Sequence, residues 1–236
     1  MNIKIIAVGS SKWDRFIRRW GVSFLIGDDV LFDTFGAGRV LSRNVRKLNI
    51  DIARIKHIVL SHDDWDHISG LWELIPGRTD ITVYICPGFK QEIKGRILSS
   101  GAKLVEVHGV MKIKEGVYST GELTGQAHDE PIYEQSVVIK TSLGLALVCG
   151  CAHPGVANIV RHVQERFCEN VSTLIGGFHM KDNSGQDNRC IIIDLRELGV
   201  RRIVPMHCTG TAATKMMRKE FGSDCIKAGE GKGIEV

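Results

Sequence analysis

Between Leu60 and Ile68 the chain reads Ser61-His62-Asp63-Asp64-Trp65-Asp66-His67, with two imidazoles and three carboxylates in six positions. Carboxylates this close repel one another unless a cation offsets their charge, and neutral imidazole nitrogens suit a divalent transition metal. The spacing His-x-Asp-x-Asp-His adds geometry to the donor types. In extended backbone, alternate side chains point the same way, so His62, Asp64 and Asp66 can share a face while His67 turns toward a different point. One short loop can therefore feed two adjacent metal positions, His62 and Asp64 at one, Asp66 and His67 at the other. Ions in two-metal hydrolytic sites lie roughly 3.5–4 Å apart, within reach of such a loop. A solvated acidic loop is the competing account, and Trp65, Ile68 and Leu71 are poor residues for one.

Three further histidines each follow a strand-like segment: His153 in Cys149-Gly150-Cys151-Ala152-His153, His179 in Gly176-Gly177-Phe178-His179, and His207 in Pro205-Met206-His207-Cys208. Strand ends in layered architectures share an edge, so all three can converge on the loop at His62. His57, His108 and His162 lack this context. His128, in a polar stretch, is a candidate substrate contact or a late metal ligand. Thr209-Gly210-Thr211 stands at a predicted helix start and offers hydroxyls and amides to an anion such as phosphate, or serves as a plain cap.

The elements that must carry these residues follow from periodicity. Residues 3–8, 22–26, 30–32, 55–60 and 81–86 read as strands, with a hairpin turn at Gly27-Asp28-Asp29. Apolar residues at helical spacing predict helices through 38–48 and 89–99, and a helical turn at 71–75 that Pro76-Gly77 stops. The second half repeats the scheme, with strands at 103–107, 116–119, 136–140, 146–149, 171–175 and 202–206. Its helices fall at 156–169, 189–198 and 211–221. Strands early and helices late in each half predict an α+β fold of two sheets faced by helices, a four-layer αββα sandwich. No linker-like stretch interrupts it, so residues 1–236 are expected to form a single domain.

Composition narrows the class. With 236 residues and a net charge of +4, the chain is long enough for a sizeable core and mildly basic. That charge suits a small anionic substrate without requiring nucleic acid. No apolar stretch approaches the ~20 residues of a membrane span. The opening residues run straight into a strand, and seven cysteines without framework spacing fit a reducing compartment, so a cytoplasmic protein is expected.

The segments RWGVSFLI, LFDTFGAG, IVLSHDDWDHISGL, GLALVCGCAHPGVANIV, IGGFHM and VPMHCTG together resemble the metallo-β-lactamase fold superfamily. More narrowly, they resemble its branch that includes the dihydropterin synthase of methanopterin biosynthesis. The resemblance runs from about Trp20 onward. It implies metal ligands at His62, Asp66, His67 and His207, with His153 joining them from the second half, and Cys151 as a rival where other relatives place a bridging Asp. Asp33, in the Phe-Asp-Thr turn, is implied as a support for a ligand imidazole or a backbone amide. Asp64 departs from the pattern by standing where a second His is expected. A carboxylate there is harder and anionic, and shifts preference toward iron or manganese relative to an imidazole.

The activity implied is that of a metal-dependent hydrolase. It would hold one or two divalent ions, zinc foremost, and cleave an ester or phosphoester through a metal-bound hydroxide that Asp66 orients, with His179 as a further ligand or as proton donor to the leaving group. Two alternatives share the site: a transferase of the dihydropterin synthase type using a pterin diphosphate, and a non-catalytic metal-binding or sensing protein. A di-iron redox protein is a further alternative. Substrate choice is expected to lie between Gly121 and Glu134.

Overall fold

The computed structural model describes residues 1–127 and 130–236, and of Lys12 the backbone. The strands are β1 (Asn2–Gly9), β2 (Gly21–Ile26), β3 (Val30–Phe32), β4 (His57–Val59), β5 (Thr82–Ile85), β6 (Lys103–Glu106), β7 (Met111–Lys114), β8 (Val117–Ser119), β9 (Leu123–Ala127), β10 (Glu130–Glu134), β11 (Val137–Thr141), β12 (Gly144–Cys149), β13 (Val171–Gly177), β14 (Arg202–Met206) and β15 (Gly233–Glu235). The helices are α1 (Lys12–Phe16), α2 (Gly38–Lys47), α3 (Trp65–Ile68), α4 (Leu71–Leu74), α5 (Gln91–Ser99), α6 (Val156–Phe167), α7 (Gly185–Glu197) and α8 (Thr211–Phe221).

They assemble as the expected four-layer sandwich. One sheet runs β15-β1-β2-β3-β4-β5-β6, the other β14-β13-β12-β11-β8-β7, and β9 pairs with β10 as a separate ribbon. Three apolar clusters fill the gaps between four layers. Phe24, Phe32 and Val59 of the first sheet meet Val137, Val148 and Ile175 of the second. On the outer face of the first sheet, Leu31, Ile58 and Val83 pack under Leu41, Val45 and Ile97. On the outer face of the second, Leu145, Leu147 and Leu174 pack under Ile159, Val163 and Leu195. Burial on both faces explains why these strands read as continuous apolar runs rather than alternating ones.

The pairing directions decide where chemistry can sit. β3, β4, β5 and β6 run parallel in the first sheet, as do β12, β13 and β14 in the second. Parallel neighbours need crossovers, so each strand's carboxyl end opens into a loop on one edge before the chain returns. Asp33, His62, His153, His179 and His207 all lie in those loops.

Gln135 fastens the two sheets at that edge. It is fully buried, donates from Nε2 to the carbonyls of Leu60 (2.9 Å) and Tyr84 (3.2 Å), and accepts at Oε1 from Ser119 Oγ (2.6 Å). Its own N–H donates to the Ser61 carbonyl at 2.9 Å, directly behind the histidine-rich loop.

Several expected elements move or are added. The helix read at 189–198 starts earlier, at Gly185, because Ser184 caps it by accepting from Asp187 N at 3.1 Å. The stretch 121–134 is largely the β9–β10 ribbon, paired from Ala127↔Glu130 to Leu123↔Glu134. β15 was not read from the sequence at all; it pairs antiparallel with β1. No helix is long and apolar enough to cross a membrane among the described residues.

Replacing Gln135 by Leu strands the Ser119 hydroxyl and the Leu60 carbonyl inside the protein, so the variant is expected to lose about 1–3 kcal/mol in urea denaturation. Leu143→Ala, at a side chain left 75% exposed, is the matched control and should change stability by less than about 0.5 kcal/mol.

Candidate metal centre

The first loop does not stay extended as its spacing suggests. Asp64 ends the extended stretch and α3 begins at Trp65, so Asp66 and His67 project from a helical turn. That turn is held by the loop after β3, where Thr34 donates to the His67 carbonyl from both N (2.7 Å) and Oγ1 (2.9 Å). The side chains still approach one another in pairs. Asp64 Oδ2 lies 3.5 Å from His62 Nε2, and Asp66 Oδ2 lies 3.4 Å from His67 Nε2.

Four imidazoles are oriented alike, each tied back through Nδ1. His67 Nδ1 donates to Asp33 Oδ2 at 2.6 Å, and His153 Nδ1 to Glu134 Oε2 at 2.8 Å. His207 Nδ1 donates to the Gly9 carbonyl at 3.0 Å, and His62 Nδ1 to Ser61 Oγ at 2.8 Å. The Ser61 hydroxyl in turn donates a hydrogen bond to Asp33 Oδ2 (2.8 Å), while Ser61 N donates to Oδ1 (2.7 Å). Asp33, buried with a backbone φ of 56°, thus engages a backbone amide and an imidazole together.

With Nδ1 committed, each Nε2 is the ring nitrogen left for another partner. Those of His62 and His207 are buried without a hydrogen-bond partner among the described residues. A buried acceptor left unmade costs about 1–3 kcal/mol, so these nitrogens suit a cation. Donor groups converge as that reading requires: ligand atoms of His62, Cys151 and His153 lie within 4.8 Å of one another, as do those of His67, Cys151 and His207. Cys151 belongs to both sets, and to a third with His179 and Cys208. The donor set of imidazole, carboxylate and thiol fits zinc or iron. Cys151 Sγ stands 3.4 Å from His67 Nε2, and Asp66 Oδ2 stands 3.4 Å from His207 Nε2.

Charge is arranged to match. Burial pushes the Asp66 carboxyl up, but the His67 and His207 imidazoles outweigh it and hold the group well below the usual carboxylate range. Glu134 behaves likewise: burial raises it, and the His153 side chain with the amides of the Cys151 loop brings it far down. Burial pushes the Cys151 thiol up. For Asp64 the nearby His62 imidazole leads, and the carboxyl is lowered despite its partial burial.

Glu134 was not singled out from the sequence. Its carboxylate accepts from the N–H groups of Cys151 (3.0 Å), Ala152 (2.8 Å) and His153 (2.8 Å), besides the His153 ring, and so shapes the whole second loop. The usable signal was the polar run Glu134-Gln135-Ser136 leading into an apolar strand, since polar residues at that position are buried only if they hold something. Ala152, His179 and His207 sit at φ of 61°, 50° and 53°, left-handed conformations that cost of order 1–3 kcal/mol each and cluster at working sites. Gly150 has no room for a side chain: a Cβ would lie 2.3 Å from Ser61 Oγ and 2.9 Å from Asp33 Oδ2.

The cleft above these donors has a volume of about 510 Å³. Asp64, Asp66, Cys151, His153 and His179 reach it, with Arg15, Lys181, Trp20 and Trp65 on its walls. The His179 ring lies tilted against that of His153, centroids 4.3 Å apart, its Nδ1 buried and without a partner among the described residues. Two expected substrate contacts are not brought here. Thr209 is fully buried and its Oγ1 accepts from Phe178 N at 3.1 Å, while Gly210 borders a different cavity. His128 lies outside the described residues.

The family model of the metallo-beta-lactamase superfamily matches residues 21–207. A relative from Methanocaldococcus jannaschii, 7,8-dihydropterin-6-methyl-4-(beta-D-ribofuranosyl)-aminobenzene-5'-phosphate synthase, is 27% identical over a 267-residue alignment covering 93% of this chain and 91% of that protein. Among solved structures, Tm1679, a metal-dependent hydrolase of the beta-lactamase superfamily, superposes with a TM-score of 0.80 at 27% identity, covering 100% of this chain and 99% of the other. Human tRNase Z, short form, shares the fold with a TM-score of 0.65 at 15% identity, covering 100% and 99%.

Asp33→Asn and Glu134→Gln each weaken the carboxylate behind a donor imidazole. Each is expected to lower the affinity for Zn²⁺ by about 10–100-fold, measured by competition with a chromogenic chelator, with the circular dichroism spectrum unchanged.

Proposed function

The chain belongs to the metallo-beta-lactamase superfamily, whose members are metal-dependent enzymes, and from that premise we propose that it hydrolyses an ester or phosphoester bond in a small anionic substrate. The observation that carries the reading is the set of donor side chains from separate strand ends, tied back through Nδ1 and gathered at one cleft that Arg15 and Lys181 border. His62, His153 and Asp64 would hold one divalent cation, and His67, His207 and Asp66 a second, with Cys151 available to both. Bound there, such cations lower the pKa of water and offset negative charge as it develops on the substrate.

The chain's own residues do the rest. Arg15 and Lys181 border the cleft and attract an anionic group. Asp66, ionised throughout the neutral range, orients the attacking water as a hydrogen-bond acceptor. His179 stands at the open side of the donor cluster and donates a proton to the leaving oxygen. Trp20, tilted against the His207 ring with centroids 4.6 Å apart, and Trp65 exclude bulk water from the walls.

A second reading is transfer rather than hydrolysis. The similarity to the M. jannaschii synthase favours it, and so do the two indoles, flat surfaces on which a pterin ring could stack. The two readings differ in whether water or an organic acceptor attacks.

Elemental analysis of protein purified without added metal should find one or two divalent ions per chain. The purified enzyme is then given a phosphodiester, or a pterin diphosphate with and without an arylamine acceptor. Product without acceptor supports hydrolysis, acceptor-dependent product supports transfer, and a metal-loaded protein that turns over none of these counts against both. Asp64→His separates a working ligand from an impaired one: loss of turnover by about tenfold or more is expected, and a large gain would mean that Asp64 limits the site.

A further inference from the structure

A second cavity of about 510 Å³ lies between the end of β1, β14 and α8, and none of its lining residues borders the metal cleft. Its size falls in the range of small-molecule sites. Lys215, Arg218 and Lys227 stand around it, no carboxylate lines it, and none of the three forms an ion pair among the described residues. Like charges gathered without a counter-charge repel one another, and an anion relieves that repulsion. The rest of the lining differs in kind. Val8, Pro205 and Ala228 give an apolar wall, so the cavity offers an apolar surface beside a cationic one. The first turn of α8 adds to this. Its N-cap, Gly210, has φ of 78° and no side chain to satisfy the helix amides, and both Gly210 and Thr211 border the cavity.

We propose that this cavity is a binding site for a phosphomonoester with an apolar body, its phosphate against Lys215, Arg218 and Lys227 and its body against Val8, Pro205 and Ala228. Three cations match a dianionic phosphate better than a single carboxylate. The site is separate from the cleft but not remote from it. His207 lines the cavity, and its N–H donates to Ser10 Oγ at 2.9 Å, Ser10 being another lining residue. An occupant therefore touches the loop that sets a proposed metal donor. The inference is independent of the reaction run in the cleft.

The probe is phenylphosphonate, which carries the anion and the apolar ring and resists hydrolysis, with phenol as the uncharged control. Hydrogen exchange of the full chain as purified should show saturable protection of segments 205–218 and 226–232 with phenylphosphonate and not with phenol. In Lys215→Ala/Arg218→Ala, whose side chains are exposed, the affinity should fall at least tenfold, whereas Lys181→Ala at the cleft should leave it unchanged. Protection confined to segments 61–68, 151–154 and 179–182, equal binding by the double variant, equal protection by phenol, or no saturable protection would each overturn the proposal.

Discussion

The centre depends on one buried carboxylate. Asp33 accepts from Ser61 N, Ser61 Oγ and His67 Nδ1, and through the Ser61 hydroxyl its influence reaches His62. A carboxylate with no exposed surface is tolerable only when hydrogen-bonded on every side, so the loop after β3 and the loop after β4 cannot be placed independently. Gly150, which no side chain could replace without striking Ser61, brings the loop after β12 against the same node. Glu134 is the counterpart in the second half: one carboxylate gathers three successive amides and an imidazole. Two buried acids thus organise two loops, and the cleft lies where those loops face each other.

The layers supply what the acids cannot. Parallel stretches in both sheets deliver loops to a common edge, helices on both outer faces keep that edge from shearing, and Gln135 ties one sheet to the other beside it. The strained residues concentrate in the same place. Asp33, Phe35, Ala152, His179 and His207 all adopt positive φ, so packing elsewhere must offset an unfavourable backbone at the loops that carry chemistry.

Much of this was legible in the sequence, for reasons that can be named. The His62–His67 loop announces itself by charge density, which no solvated loop needs. His153, His179 and His207 could be grouped because strand ends share an edge, and the sandwich followed from the order of apolar runs. Glu134 escaped because its partners lie 17 to 19 residues away and its neighbours look like an ordinary polar stretch. Thr209 was read as an anion contact from its place at a helix start, yet its hydroxyl is used by the Phe178 amide. Gly210 does border a cavity, but on the far side of His207 from the expected one. β15 carries one buried side chain, Ile234, too little apolar content to signal a strand. The turn of helix at Trp65 was hidden by a spacing equally compatible with extended chain.

Cys151 gives the centre a property that neither loop has alone. Its sulfur is counted in the donor set of His62 and His153 and again in that of His67 and His207. The two proposed positions therefore share one donor, and any substitution at residue 151 changes both together. The other six donors each belong to one side only, so a change at any of them retunes one proposed position and spares the other.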